Sequence, residues 1–336
     1  MYNIYEKCIT KTWDLERYDK PLVTIRCMTY NHEQYISEAI EGILKQKTSF
    51  PFVIFIHDDC STDNTTNIIK EYKNKYPNII NSVFEEENQW SKNDESLSQI
   101  IRENIHTKYV AICEGDDYWI DENKLEKQIL YLEKHPEFSL SITNGRVLDV
   151  KNDKYESIFM DEKEKEFGSS NQIISLANCA SLMFPPTASY VYKYDFGREF
   201  ENVPSCFNGD MRLRLYYMTR GKCYYLKDET VVYRKNVTGS AMTMAKKKNR
   251  NEIFEQELQT CQMIDYIDSL SKYLYSEELW KVKSKRVQAC ISNSRSLKIL
   301  FNPYYKRAWK EWSMVKKITV VIKILMPDFV YEKLRK

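Results

Sequence analysis

Through its first half the chain alternates short apolar, β-rich runs with amphipathic stretches of helical period. Few folds accept that alternation besides a parallel sheet with crossover helices. Leu22 to Met28 reads as the first strand and Ile36 to Leu44 as the first crossover helix. Phe52 to Ile56 reads as the second strand, followed by a helix over Asn64 to Tyr76 that Pro77 ends. Ile79 to Phe84 then predicts a strand and Leu97 to Ile105 a helix. The wholly apolar Tyr109 to Cys113 predicts a central parallel strand, and a helix over Asn123 to Lys134 stops before Pro136. Four strand-helix units in succession predict a doubly wound α/β domain.

The pattern then loosens. Asp149 to Ser170 is polar, with six charged residues in succession from Asp161 to Glu166, and reads as a solvated loop or hairpin. A mixed region follows to about Ser240, with a helix near Asp210 to Arg220 and strand-like runs at Cys223 to Leu226 and Thr230 to Arg234. Beyond Arg250 the sequence is helical, its apolar positions Phe254, Leu258, Cys261, Ile264 and Ile267 lying at helical spacing. A chain of 336 residues exceeds what one hydrophobic core usually spans, so a body over residues 1–245 with a helical extension over 246–336 is expected.

The net charge of +2 conceals an asymmetry. Residues 281–336 hold fifteen Lys or Arg against three Asp or Glu, a net of +12, which leaves −10 on the rest. That distribution argues against an even basic coat for nucleic acid and points to a basic patch for an anionic surface. Nine cysteines without a CxxC pair read as reduced, core-filling thiols, and Met1 to Lys20 lacks the apolar core of a signal peptide. With no long uncharged apolar run, a cytoplasmic location is expected.

Ligands of parallel α/β sheets gather at the carboxyl ends of strands. Those ends here carry Met28-Thr29-Tyr30-Asn31, then Asp58 to Asp63, then Glu114-Gly115-Asp116-Asp117-Tyr118-Trp119. Two acidic clusters on one sheet edge repel each other unless a cation or a donor-rich ligand lies between them. Glu114, Asp116 and Asp117 form a carboxylate set that suits Mg2+ or Mn2+ with positions left open for phosphate oxygens; an Asx-turn capping the next helix explains the same residues alone. Asp58 to Asp63 lacks the glycine and glutamate of a calcium loop. It reads better as a base-binding turn in which one carboxylate accepts a pyrimidine imide N–H. Helix capping explains Ser61 and Asp63 equally well, but not the doubled Asp58-Asp59.

Pro21 to Asn31, the DDCSTDNT run from Asp58 to Thr65 and EGDDYW from Glu114 to Trp119 resemble, in order and spacing over roughly residues 20 to 240, the family 2 glycosyltransferases. The likeness is greatest to bacterial enzymes that build capsular or other surface polysaccharides. It implies a GT-A fold, a Rossmann-like, mostly parallel sheet flanked by helices, with a nucleotide-binding half over about residues 20–145 and an acceptor half over about 146–245. It implies a nucleoside diphosphate sugar donor, often UDP-linked, a saccharide or lipid-linked saccharide acceptor, and Mn2+ or Mg2+. Asp59 then matches the uracil-binding aspartate with Asp58 beside it, Met28, Thr29 and Tyr30 the donor loop, and Asp116 and Asp117 the metal and diphosphate aspartates with Glu114 ahead of them.

Asn208-Gly209-Asp210 resembles the segment that carries the catalytic base, making Asp210 the base of an inverting transfer, although capping of the following helix explains Asp210 too. Arg234 and Lys235 are candidates for the diphosphate, and Asn236 stands where relatives often carry a histidine, which leaves the choice of metal open. Trp119 offers either a flat face to a sugar or a core side chain, and Phe184 to Thr187, with Pro186 and Thr187, resembles a loop that approaches the acceptor. The four histidines show no ligand spacing and read as structural or surface groups.

Three other functions fit the sequence less well. A nucleotidyltransferase needs a glycine-rich loop after the first strand, and Cys27 to Glu41 contains no glycine. A dehydrogenase needs GxGxxG, which is absent. A catalytically inactive binding protein of this fold would be expected to lose its acidic groups. The basic segment Lys316 to Met326 suits an interfacial helix on anionic lipid, or a helix packed on the body with its lysines in water.

Overall fold

The computed structural model describes residues 3–92, 96–158, 171–180, 186–194, 199–200, 202–207, 209–238 and 248–335. The charged run Asp161 to Glu166, Phe184-Pro185 and Asn208 lie outside the described residues. Two compact units divide the chain: Met1–Ile174 with Leu182–Arg198 and Gly221–Val237, and Ser175–Ser181 with Glu199–Arg220 and Thr238–Lys336.

The first unit holds a sheet of ten described strands. They are β1 (Val23–Thr29), β2 (Phe52–Asp58), β3 (Ile80–Phe84), β4 (Tyr109–Ile112), β5 (Tyr118–Trp119), β6 (Phe138–Asp149), β7 (Lys154–Ile158), β8 (Gln172–Ile174), β9 (Val191–Lys193) and β10 (Lys222–Lys235). The order is β3-β2-β1-β4-β9-β6-β10-β5, with β7 on β6 and β8 on β10. Strands β3, β2, β1 and β4 run parallel, as the strand-helix alternation requires, and β10 runs parallel to β6. Strand β9 is antiparallel to both of its neighbours.

Helices Ile36–Leu44, Thr65–Lys75, Ser96–Asn104 and Lys124–Lys134 are the crossover helices expected from the sequence. Ile36, Ile40 and Ile43 of the first of these pack with Ile25, Cys27, Ile54 and Ile56 of the sheet, one apolar face on another. Gly42 is needed in that helix because a Cβ there would come within 2.7 Å of the Trp119 carbonyl oxygen. The two strand-like runs near residues 223 and 230 are one strand, β10, whose register against β6 shifts around Leu226, Glu229 and Val231.

The second unit contains the helix Gly209–Arg220, the long helices Arg250–Leu270 and Ser276–Asn293, and the helices Lys306–Glu311, Met314–Leu325 and Asp328–Arg335. Its core joins Cys261, Val287, Cys290, Ile291, Trp312, Val320 and Ile324. Among the described residues, cysteines 8, 27, 60, 113, 206, 223, 261 and 290 are in no disulfide, and 27, 113, 223, 261 and 290 are buried. Among the described residues no helix is long and apolar enough to cross a membrane.

Candidate active site

Parallel pairing brings the carboxyl ends of β1, β2 and β4 to one edge of the first unit, and backbone bonds carry the alignment into the turns beyond. The Asp59 N–H donates to the Thr29 carbonyl (3.0 Å), Cys113 N–H to Arg26 (3.0 Å) and Gly115 N–H to Met28 (2.9 Å). Asn31 takes the left-handed conformation (φ 56°), which Asn tolerates well. Its side-chain oxygen accepts the Thr62 N–H at 2.7 Å while its own N–H donates to Ser61 Oγ at 2.9 Å. The His32 N–H donates to Thr65 Oγ1 and the Glu33 N–H to Asp63 Oδ2, so the first two turns are laced side by side.

Asp58 and Asp59 are both buried, and each carboxylate is matched by donors. Asp58 Oδ1 accepts from the Ser61 N–H (3.2 Å) and the Ser61 hydroxyl, and Oδ2 accepts from the Thr66 hydroxyl. Asp59 Oδ1 accepts the Gln89 N–H at 2.6 Å and Oδ2 the Trp90 N–H at 3.1 Å. Asp58 therefore has a turn-forming role of its own. Ser61 braces the neighbouring turn, while Asp63 Oδ1 accepts the Thr65 N–H at the start of the following helix.

The third turn is differently made. Gly115 approaches so closely that a Cβ would meet Thr29 Oγ1 at 2.6 Å and His32 Nδ1 at 2.9 Å. Arg234, delivered by β10, donates its backbone N–H to Asp117 Oδ1 (2.9 Å) and its Nη1 to the Asp116 carbonyl (2.8 Å), and its Nη2 forms an ion pair with Glu38. Its guanidinium lies over the rings of Tyr118 and Tyr35, at 4.4 and 4.9 Å from their centroids.

Burial pushes the Asp117 carboxyl well above its ordinary range; the Asp116 and Glu114 charges push the same way, against Arg234. Burial also pushes Glu114 up to about 7, opposed by Arg26 and a Thr187 hydrogen bond. Glu114 Oε2 is buried with no hydrogen-bond partner among the described residues. The His32 imidazole, bonded to Thr29 Oγ1 (3.1 Å) and 3.9 Å from Asp116 Oδ2, is held below its ordinary pKa by burial while Asp116 pulls the other way. No three His, Cys, Asp or Glu side chains form a ready-made metal cage among the described residues.

Met28, Thr29, Asp58, Asp59, Glu114, Asp116, Asp117 and Arg234 thus share one edge of the first unit, with Tyr30 exposed beside them. Trp119 does not present a face for a sugar. It is 3% exposed, its Nε1–H donates to the Ala188 carbonyl, and the buried Lys124 ammonium sits 4.3 Å from its ring centroid. Pro186 is buried, and Thr187 bonds Glu114. Lys235 is paired with Glu156. Asp210 belongs to the second unit, in the first turn of helix Gly209–Arg220, where Oδ2 accepts from Arg214 at 3.1 Å. Sequence reasoning missed Glu38 and Tyr35, which hold the Arg234 guanidinium, and the place of His32 between Thr29 and Asp116. The spacing of His32 and Glu38 from Asn31 was the one available clue, since both fall in the turn or first helical turns after β1.

Residues 25–184 match Glycosyl transferase family 2. An uncharacterized protein of Mycobacterium tuberculosis is 32% identical over 221 residues, 65% of this chain and 60% of that protein. The chain thus spans about 60% of the length of the first curated relatives it matches. The putative teichuronic acid biosynthesis glycosyltransferase TuaG of Bacillus subtilis is 35% identical over 114 residues, 34% of this chain and 42% of TuaG. Residues 1–349 of S. aureus TarS, solved in complex with UDP-GlcNAc, share the fold with a TM-score of 0.59 and 18% identity, over 93% of this chain and 85% of that one. The mannosyltransferase PcManGT of Pyrobaculum calidifontis, in complex with GDP-Man and Mn2+, does so with a TM-score of 0.51 and 13% identity, over 94% and 84%. The fold is accordingly the GT-A arrangement of a mostly parallel sheet flanked by helices, with a helical C-terminal region.

Proposed function

We propose that this chain, whose residues 25–184 match Glycosyl transferase family 2, transfers a sugar from a nucleoside diphosphate donor, a UDP-sugar, to a hydroxyl of a saccharide or lipid-linked saccharide in surface polysaccharide synthesis. This is a hexosyl-type transfer by a GT-A domain over residues 1–245 with a helical extension over 246–336. The observation that carries the reading is the pairing, on one sheet edge, of a donor-matched aspartate turn with a carboxylate turn that has few donors and holds a buried Glu114 Oε2 without a partner among the described residues.

The all-oxygen set of Asp117, Asp116 and Glu114 fits a hard divalent cation, Mg2+ or Mn2+, and the partnerless buried Glu114 Oε2 is what such a cation would satisfy. When bound, the ion supplies charge neutralisation for the departing diphosphate. The protein's own residues do the rest. Asp59, held rigid by two backbone N–H groups, retains lone pairs for the imide N–H of the base. Met28, Thr29 and Tyr30 line the donor's path. Arg234 fixes Asp117 through its backbone N–H and adds positive charge beside the phosphates. Asp210 takes the acceptor's hydroxyl proton as the oxygen attacks the anomeric carbon opposite the diphosphate, an inverting transfer.

The test is a panel of UDP-, GDP- and TDP-sugars with Mn2+ or Mg2+, read as nucleoside diphosphate released by slow hydrolysis. Metal-dependent release with at least one donor is expected. Tight donor binding without turnover would instead mark an inactive sugar-nucleotide-binding protein of the same fold.

A further inference from the structure

Helix Met314–Leu325 has two apolar faces. Val320 and Ile324 point into the core of the second unit and are almost fully buried. Met314, Val315, Ile318, Ile322 and Leu325 lie on the other side, each 54–75% exposed, and Phe329 follows at 78% on the next helix. At 3.6 residues per turn the five helical positions fall within an arc of about 100°. Lys316 and Lys323 border that arc on one flank and Lys317 on the other.

The stripe is held outward. Ser313 caps the helix by accepting the Lys316 N–H. At the other end the buried guanidinium of Arg250 donates to the carbonyls of Lys323 (2.8 Å), Met326 (2.9 Å) and Ser292 (3.0 Å). The terminal carbonyls that would otherwise need water are thereby tied to the core, and the helix cannot roll to hide its second face without breaking these bonds. A single-partner surface helix ordinarily carries a polar outer face; an aliphatic one marks an interaction surface.

Charge decides what covers it. Residues 281–336 carry a net +12, and Lys316 and Lys317 stand beside the stripe, over the rings of Trp312 and Trp309. A second copy would bring the same charge to the contact and be repelled, whereas an anionic surface is complementary. We propose that this face docks in the plane of an anionic phospholipid bilayer, its aliphatic side chains entering the boundary between headgroups and acyl chains and its lysines reaching the headgroup phosphates. The inference rests on exposure and charge, independently of the sugar-transfer reading, and would keep the protein where lipid-linked acceptors are found.

The full chain should float with vesicles of equal parts phosphatidylglycerol and phosphatidylcholine at least about tenfold more than with phosphatidylcholine alone, and less as salt is raised. The triple variant I318S/I322S/L325S should lose binding to the anionic vesicles by about tenfold or more, because it removes inserted aliphatic groups. Its melting midpoint and its donor hydrolysis in lipid-free buffer should stay at the parent's values, which separates this outcome from any failure of the transfer reading. Equal flotation with both lipids, or unchanged binding by the triple variant, would overturn the proposal. So would a parent dimer in sedimentation that the triple variant dissociates, since a second copy would then be the occupant.

Discussion

The two acidic turns of the first unit contain the same Asp-Asp pair on the same sheet edge, yet their surroundings are opposite. Around Asp58 and Asp59 the chain supplies the N–H groups of Ser61, Gln89 and Trp90 and the hydroxyls of Ser61 and Thr66. Around Glu114, Asp116 and Asp117 it supplies chiefly the Arg234 backbone N–H and the Thr187 hydroxyl, and Glu114 Oε2 is buried without a partner among the described residues. A carboxylate matched by donors holds a loop in shape. Carboxylates packed together without them raise one another's pKa, and a cation relieves that cost. The Asp-Asp pair is common to both turns; what separates them is the supply of donors and the added Glu114.

The widest separation between them should come from Asp117→Asn. The change keeps an oxygen for the Arg234 N–H and removes a charge from the donor-poor turn. Metal-dependent release of nucleoside diphosphate should fall by about 10²-fold or more. The melting midpoint should hold or rise, since a buried carboxyl whose ionisation is opposed by burial and by two neighbouring acids is a liability to the fold. Activity equal to the parent's would break the comparison at its functional end.

The same isosteric change in the other turn should act on stability instead. In Asp59→Asn the side-chain amide must face either the Gln89 or the Trp90 N–H, orphaning a buried donor at a cost of about 1–3 kcal/mol. Calorimetry should show a lower melting midpoint, with donor affinity reduced alongside. A variant as stable as the parent would mean that these two bonds contribute nothing.

Much of this was legible in the sequence. The strand-helix alternation located β1 to β4 and their crossover helices to within two residues, because each strand is an apolar run bounded by a turn. From Phe138 onward the reading was poorer. Strand β6 contains Ser, Thr, Asn and Gly among its apolar residues, so no clean period marks it, and β10 carries Lys227 and Asp228 in its middle, which split it into two apparent strands. The acidic motifs were visible as motifs. Their donors were not, since Gln89, Trp90 and Arg234 arrive from segments 30 to 117 residues away. Trp119 could not be assigned because the Ala188 carbonyl and Lys124 that enclose it are contacts of the folded chain.

Smaller than either carboxylate effect should be that of Asn236→His. Asn236 closes β10 in the left-handed region (φ 65°) and donates from Nδ2 to Asp149 Oδ1 at 2.9 Å, so the backbone alone gives a reason for asparagine there. Histidine is among the residues that also tolerate this conformation, and loss of one part-buried hydrogen bond should cost only about 1 kcal/mol. If position 236 stands close enough to the carboxylate turn to touch its cation, an imidazole nitrogen should favour Mn2+ over Mg2+, which prefers oxygen. Initial rates of donor hydrolysis with each metal should then show the Mn2+ to Mg2+ ratio rising by about threefold to tenfold. An unchanged ratio would place metal preference wholly in Glu114, Asp116 and Asp117, sharpening the contrast between the two turns by leaving every metal contact to the donor-poor one.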